Sequence, residues 1–144
     1  MIGKFVQSKN MNAIQYQVLR YLPDRVSGEF VNLGVVAYDP AGRSLSSGFI
    51  NCADRIMGFF PGVDGNYLLE LIKQINHHLI ELEETWQTSS NMDRTISIES
   101  FTGTVLPKDD SSLIFSEVNV TLGLSSEDVA KDLYERIVRR YIIH

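Results

Sequence analysis

The residues best suited to chemistry lie near the amino terminus and comprise acids, an amide, an arginine and a glycine. Asn32 and Gly34 fall on the same face of a predicted strand that is otherwise apolar. An amide in a central strand must be hydrogen-bonded, and a glycine beside it leaves room for another backbone or a ligand. Arg20, Asp24 and Glu29 lie at the end of the same hairpin. These five residues define a candidate polar cluster.

Different roles fit this cluster. Carboxylates and an amide suit Mg²⁺ or Mn²⁺, so Asp24, Glu29 and Asn32 could serve a metal-dependent hydrolase. A pocket near Gly34 could instead hold the ligand of a small-ligand sensor. The structural alternative is a buried network in which Asn32 and Glu29 fix the hairpin and Gly34 marks a bulge or close packing. We favour the structural alternative, because ion-pair networks often resemble functional sites.

Elsewhere the sequence offers no complete catalytic set. It has no phosphate-binding glycine loop and no G-x-S-x-G turn. A Cys–His nucleophile would need Cys52 with His77 or His78, but a small buried thiol is the expected role of this cysteine. The two histidines are adjacent, so on a helix they point about 100° apart and cannot easily share a metal. We therefore expect no catalytic residue, no metal and no cofactor.

Three strands are predicted to position the polar cluster. They run over Ala13–Leu22, Glu29–Tyr38 and Ser44–Ile50, and turn residues separate them. Connections this short force antiparallel neighbours, so the strands form a meander. The second strand is apolar on both faces, which indicates a central strand covered on both sides or close to it.

Helices dominate the rest of the chain. A short helix is predicted from Asn51, its capping residue, to Phe59, and Ser125 is predicted to cap the last helix. Between these two, Arg94–Leu106 could contain a short strand. A long helix capped by Asp64 should bury one apolar stripe, formed by Leu68, Ile72, Ile75, Leu79, Leu82 and Trp86. The sequence therefore predicts an α+β domain with one antiparallel sheet and about three helices packed on one face.

Composition limits the class of protein. The chain has 144 residues, which fits one domain over residues 13–144 after a poorly ordered arm at 1–12, with Met11 as an alternative start. The net charge of −5 argues against nucleic-acid and anionic-membrane partners. One cysteine, no signal peptide and no run long enough to span a membrane favour a cytoplasmic protein, either a monomer or a homodimer.

The chain from Tyr16 onward resembles a bacterial family of unknown function, DUF3037. The resemblance depends mainly on Tyr21, on Pro23-Asp24 and on the segment Gly-Glu-Phe-Val-Asn-Leu-Gly-Val-Val at Gly28–Val36. It is weaker at Phe60-Pro61 and over Leu113–Val138, which includes Glu135-Arg136. The family often has an arginine just before its Gly-Glu, where this chain has Ser27.

The resemblance implies a protein partner rather than a reaction. The family has no established activity, and its genes often lie beside a gene for a HipA-like kinase. Because no complete catalytic set is present, the leading hypothesis is an accessory or interaction protein without catalysis of its own, and the resemblance suggests a HipA-like kinase as its partner. The segment Gly28–Val36 would shape the hairpin on which the partner docks.

Overall fold

The computed structural model describes residues 11–88, 96–106 and 112–139. Residues 1–10, which make up most of the expected amino-terminal arm, lie outside the described residues. The described elements are, in chain order, β1 (Asn12–Tyr21), β2 (Val31–Asp39), β3 (Ser44–Phe49), α1 (Asp54–Phe59), α2 (Gly65–Thr88), α3 (Glu99–Val105), β4 (Leu113–Phe115), β5 (Asn119–Gly123) and α4 (Ser126–Leu133), which continues into a π-helical turn (Tyr134–Val138).

The five strands form one antiparallel sheet. Its order is β3-β2-β1. The other edge of β1 pairs with β4 near its carboxyl end and with β5 near its amino end. The predicted α+β class and the three-strand meander are confirmed. No helix among the described residues is long and apolar enough to cross a membrane.

A bulge interrupts β2 inside the predicted polar cluster. Leu19 lies opposite Gly34, but the next residue, Arg20, lies opposite Asn32. Leu33 is therefore the extra residue of β2, and the strand bends at this point. After the bulge, Arg20 and Asn32 are cross-strand partners on the same face of the sheet.

Helices cover both faces of this sheet. The hydroxyls of Ser44 and Ser46 hydrogen-bond Ser126 at the start of α4, at 2.7 and 2.8 Å. Ser47, the residue directly after Ser46, instead donates to Asn76 of α2 at 2.7 Å. Successive side chains of a strand point to opposite faces, so α4 and α2 lie on opposite sides. The expected packing of the helices on one face is therefore wrong. The reason is that β2 has apolar residues on both faces, and both faces need to be covered.

The long helix and its contacts largely follow the prediction. Asp64 accepts a hydrogen bond from the Tyr67 amide at 3.1 Å, and Ser125 caps α4 by accepting from the Asp128 amide at 3.0 Å. The first four residues of the predicted α2 stripe are buried, and Trp86 is half-buried. Its ring packs against Tyr38 of β2, joining the end of α2 to the sheet.

Two local predictions are wrong. α1 begins after Ala53, which makes no side-chain capping bond, so Asn51 does not cap it. The expected strand within Arg94–Leu106 is instead helix α3 over its described part. Thr102 of α3 donates to the Gln17 side chain at 2.6 Å, and the Ile98 amide donates to Gln15. These glutamines of β1 hold the helix on the α2 side of the sheet.

Gly34 gives a direct test of how β2 packs against Phe49 of β3. A Cβ atom there would overlap Cδ1 of Phe49 and lie 2.7 Å from the Gly48 carbonyl oxygen. We expect Gly34→Ala to lower the free energy of unfolding by about 1–3 kcal/mol, because the ring and the edge strand must both move. Urea denaturation measures the change.

The matched control is Gly103→Ala in α3, where a Cβ would meet no atom within 4 Å. This change should leave stability unchanged or raise it by up to about 1 kcal/mol, since alanine is the better helix former. Equal effects of the two substitutions would contradict the packing of Phe49 over Gly34.

Candidate functional site

The loop between β1 and β2 is held by its own polar groups. The Asp24 carboxylate accepts from the Val26 amide at 2.9 Å, and the Asp24 carbonyl accepts from the Gly28 amide at 3.1 Å. Gly28 has φ +73°, which a glycine adopts without strain. Asp24 and Glu29 are both exposed. Asp24 thus stabilises the turn, and the two acids lie in solvent.

Arg20 and Asn32 are brought together by the bulge. Arg20 Nε donates to Asn32 Oδ1 at 3.2 Å, and the guanidinium lies 4.3 Å from the centre of the Phe30 ring. Partial burial lowers the pKa of Arg20, but an arginine remains charged at any physiological pH. The side-chain oxygen of Asn32 therefore accepts from Arg20, and Glu29, expected in the same buried network, is exposed.

A second arginine, Arg55 of α1, completes the same group. β3 ends at Phe49, and the following amide, that of Ile50, still donates to the Leu33 carbonyl at 3.0 Å. Arg55 Nε then donates to the Asn32 carbonyl at 2.8 Å. The side chain of Arg55 therefore continues the ladder beyond the end of β3.

Arg55 is unusually buried for a charged residue. It is 8% exposed, and its Nη1 has no hydrogen-bond partner within the described part of the chain. Its guanidinium lies 5.4 Å from the centre of the Phe59 ring. Burial lowers the pKa of Arg55, and the nearby Tyr134 opposes this effect. A buried cation with an unpaired donor lowers the stability of the fold unless an acceptor reaches it.

Tyr134, which directly follows α4, lies near Arg55. It is the first residue of the π-helical turn, and its ring packs over Gly48 of β3, where an added Cβ would lie 3.4 Å from Tyr134 Cδ1. Burial raises the pKa of Tyr134, while Arg55 and Arg139 act in the opposite direction. π-Helical turns occur often at functional sites.

We call the side chains linked by these contacts the hairpin-end surface. They are Phe30, Arg20, Asn32, Arg55 and Phe59. Within the described part of the chain, neither of its arginines forms an ion pair. By contrast, Arg136 and Arg139 each pair with an acid one helical turn away, at 2.9 Å. The surface therefore combines two arginines that form no ion pair among the described residues with two exposed aromatic rings.

The other candidate residues are arranged differently. The space above Gly34 is filled by the Phe49 ring, as described above. Cys52 is exposed, so the expectation of a buried thiol is wrong. His77 and His78 are both exposed on α2. Across residues 11–88, 96–106 and 112–139, no group of three or more His, Cys, Asp or Glu residues could hold a metal ion.

Comparison with known proteins gives one result. The family described as "Protein of unknown function (DUF3037)" matches residues 16–138. The chain belongs to the DUF3037 family. No curated protein and no solved structure is significantly similar to it. All five residues of the hairpin-end surface lie within the part that matches DUF3037.

Of the five residues of the hairpin-end surface, the predicted polar cluster contains Arg20 and Asn32. It does not contain Phe30, Arg55 or Phe59, nor the neighbouring Tyr134. Arg55 could have been noticed as a basic residue beside Ile56 in a short apolar helix. Its contact with Asn32 joins residues that are 23 positions apart, and no local pattern predicts such a contact.

The environment of Tyr134 predicts a pH effect on stability. Its pKa is raised on folding, so the unfolded chain loses the phenolic proton first as pH rises above about 10. The stabilisation from the neutral phenol is thus complete below that pH and is lost as pH passes the folded-state value. Tyr134→Phe should therefore lose stability less steeply than the wild type above pH about 10.

The test is to measure the urea midpoint of unfolding for the wild type and for Tyr134→Phe at several pH values on both sides of about 10. Effects of pH that do not involve Tyr134 are common to both proteins and cancel in the difference. Parallel pH profiles would show that Tyr134 is not in the environment described.

Proposed function

We propose that this DUF3037 protein is an accessory interaction protein without catalytic activity of its own, and that its partner docks on the hairpin-end surface. One observation carries the proposal. Phe30 and Phe59 are 43% and 47% exposed, and each lies against an arginine that no acid neutralises within the described residues. Aromatic residues and arginine are the types most enriched at the centres of protein interfaces.

The chemistry of the surface indicates the kind of partner surface it fits. An acidic side chain bound at this surface would pair with Arg20, because a guanidinium binds a carboxylate through two parallel bonds. Apolar groups around that acid would cover Phe30 and Phe59. The first partner to test is a HipA-like kinase encoded beside the gene, which the resemblance to the family suggests.

The two alternative functions have less support. Asp24 and Glu29 are exposed on the loop, and Asp24 is engaged in its turn, which leaves a metal-dependent hydrolase without a gathered set of ligands there. The Phe49 ring occupies the place where a sensor's ligand would lie beside Gly34.

The proposal predicts the effect of removing both rings. The double variant Phe30→Ala/Phe59→Ala should bind the kinase at least about tenfold more weakly than the wild type, since each truncation removes a central aromatic contact. Isothermal titration calorimetry measures the affinity after co-expression has shown a complex.

Val120→Ala/Leu122→Ala is the matched control. These side chains are 62% and 67% exposed on β5, which pairs with the opposite end of β1, so binding should not change. The proposal fails if both double variants bind like the wild type. It fails equally if neither the kinase nor a pull-down from the native host yields a stable partner.

A further inference from the structure

The outer edge of β3 leaves backbone groups unpaired. The amides of Ser46, Gly48 and Ile50 point towards β2, as the Ile50–Leu33 hydrogen bond shows. In an antiparallel pair the residues between them point outward. The outward amide of Leu45 is bound by Glu83 Oε2 at 2.7 Å. Within the described part of the chain, the outward amides of Ser47 and Phe49 have no such partner.

This edge also lacks the usual protection against pairing. Natural edge strands are blunted by charged side chains, proline, bulges or covering elements. The sequence of β3, Ser-Leu-Ser-Ser-Gly-Phe, contains no charge and no proline, and its pairing with β2 is regular throughout. Only its first outward amide is blocked, by Glu83.

A cavity lies on each side of the open edge. On the α4 side, a cavity of about 360 Å³ is lined by Gly48, Ala130 and Tyr134 together with the charged residues Glu127, Lys131 and Glu135. On the α2 side, a smaller cavity of about 180 Å³ is lined by Phe49 and Ile72 among others. A strand laid along β3 would direct successive side chains into these two cavities alternately.

We propose that the edge of β3 from Ser46 to Phe49 binds an extended segment of a partner protein as an additional strand. A bulky apolar side chain of that segment enters the larger cavity, and a small aliphatic one at the neighbouring position enters the smaller. Backbone bonds then supply affinity, and the two cavities supply specificity. This inference concerns a different surface from the hairpin end and does not depend on it.

The size of the larger cavity favours a foreign segment over a second copy of β3. If two copies paired edge to edge, the side chains offered to this cavity would be those of Ser46 and Gly48, which share its face. A hydroxymethyl group and a hydrogen atom cannot fill about 360 Å³. Ser46 is also held by its hydrogen bond to Ser126.

Ser47→Pro tests the proposal, because proline removes an outward amide that no bond within the described residues uses. The matched control is Ser47→Ala, which keeps that amide and loses only the hydroxyl bond to Asn76. The probe is a library of random linear peptides displayed on phage and selected on the wild-type chain. Selected peptides should share adjacent bulky and small apolar residues and bind Ser47→Ala within about twofold of the wild type.

The same peptides should bind Ser47→Pro at least tenfold more weakly. They should bind Phe30→Ala/Phe59→Ala like the wild type, which separates this inference from the hairpin-end proposal. Hydrogen exchange on the wild type gives a readout that needs no variant: peptide should slow exchange at the Ser47 and Phe49 amides at least tenfold.

Equal affinity for Ser47→Pro, unprotected amides, or the absence of any selected peptide would overturn the proposal. A wild-type dimer that Ser47→Pro dissociates would overturn it too, because a second copy would then be the occupant.

Discussion

The burial of β2 on both faces is the constraint on which the rest of this structure depends. From Leu33 to Asp39 every residue of this strand is buried, so its polar groups cannot rely on water. Its backbone is satisfied by β1 on one side and by β3 on the other. Where β3 ends, the strand still needs a donor, and Arg55 supplies it at the Asn32 carbonyl. Arg55 thus belongs to the hairpin-end surface because β3 ends before β2 does, and its side chain completes the hydrogen bonding of β2 there.

The elements predicted well are those whose patterns are local. Three apolar runs separated by turn residues gave the meander, and the four-and-three spacing along α2 gave the long helix with Asp64 as its cap. Asn32 was recognised because an amide in a buried strand demands a partner. Which partner it takes could not be predicted, because the bulge at Leu33 changes the register and places Arg20 opposite it.

The failures have a common physical origin in contacts that are distant in sequence. α3 has weak helical features of its own, with glycine and two threonines in seven residues, and β1 stabilises it through Gln15 and Gln17. Arg55 acquires its role only because α1 packs against the end of β2. α4 lies on the face of the sheet opposite to α2 because Ser126 hydrogen-bonds Ser44 and Ser46 of β3. These contacts form only when the sheet is assembled, so the periodicity of one segment does not predict them.

The part of the β3 edge that is open to a partner is short. Glu83 occupies the first outward amide of β3, and the strand ends at Phe49, so an added strand can pair over only about four residues, or roughly 13 Å. Bonds over so short a length give modest affinity, because ordering an extended segment opposes them. A partner that also placed an acidic group at Arg20 of the hairpin-end surface would engage both surfaces at once. The second contact would then be intramolecular and would raise the overall affinity without requiring a stronger contact at either surface.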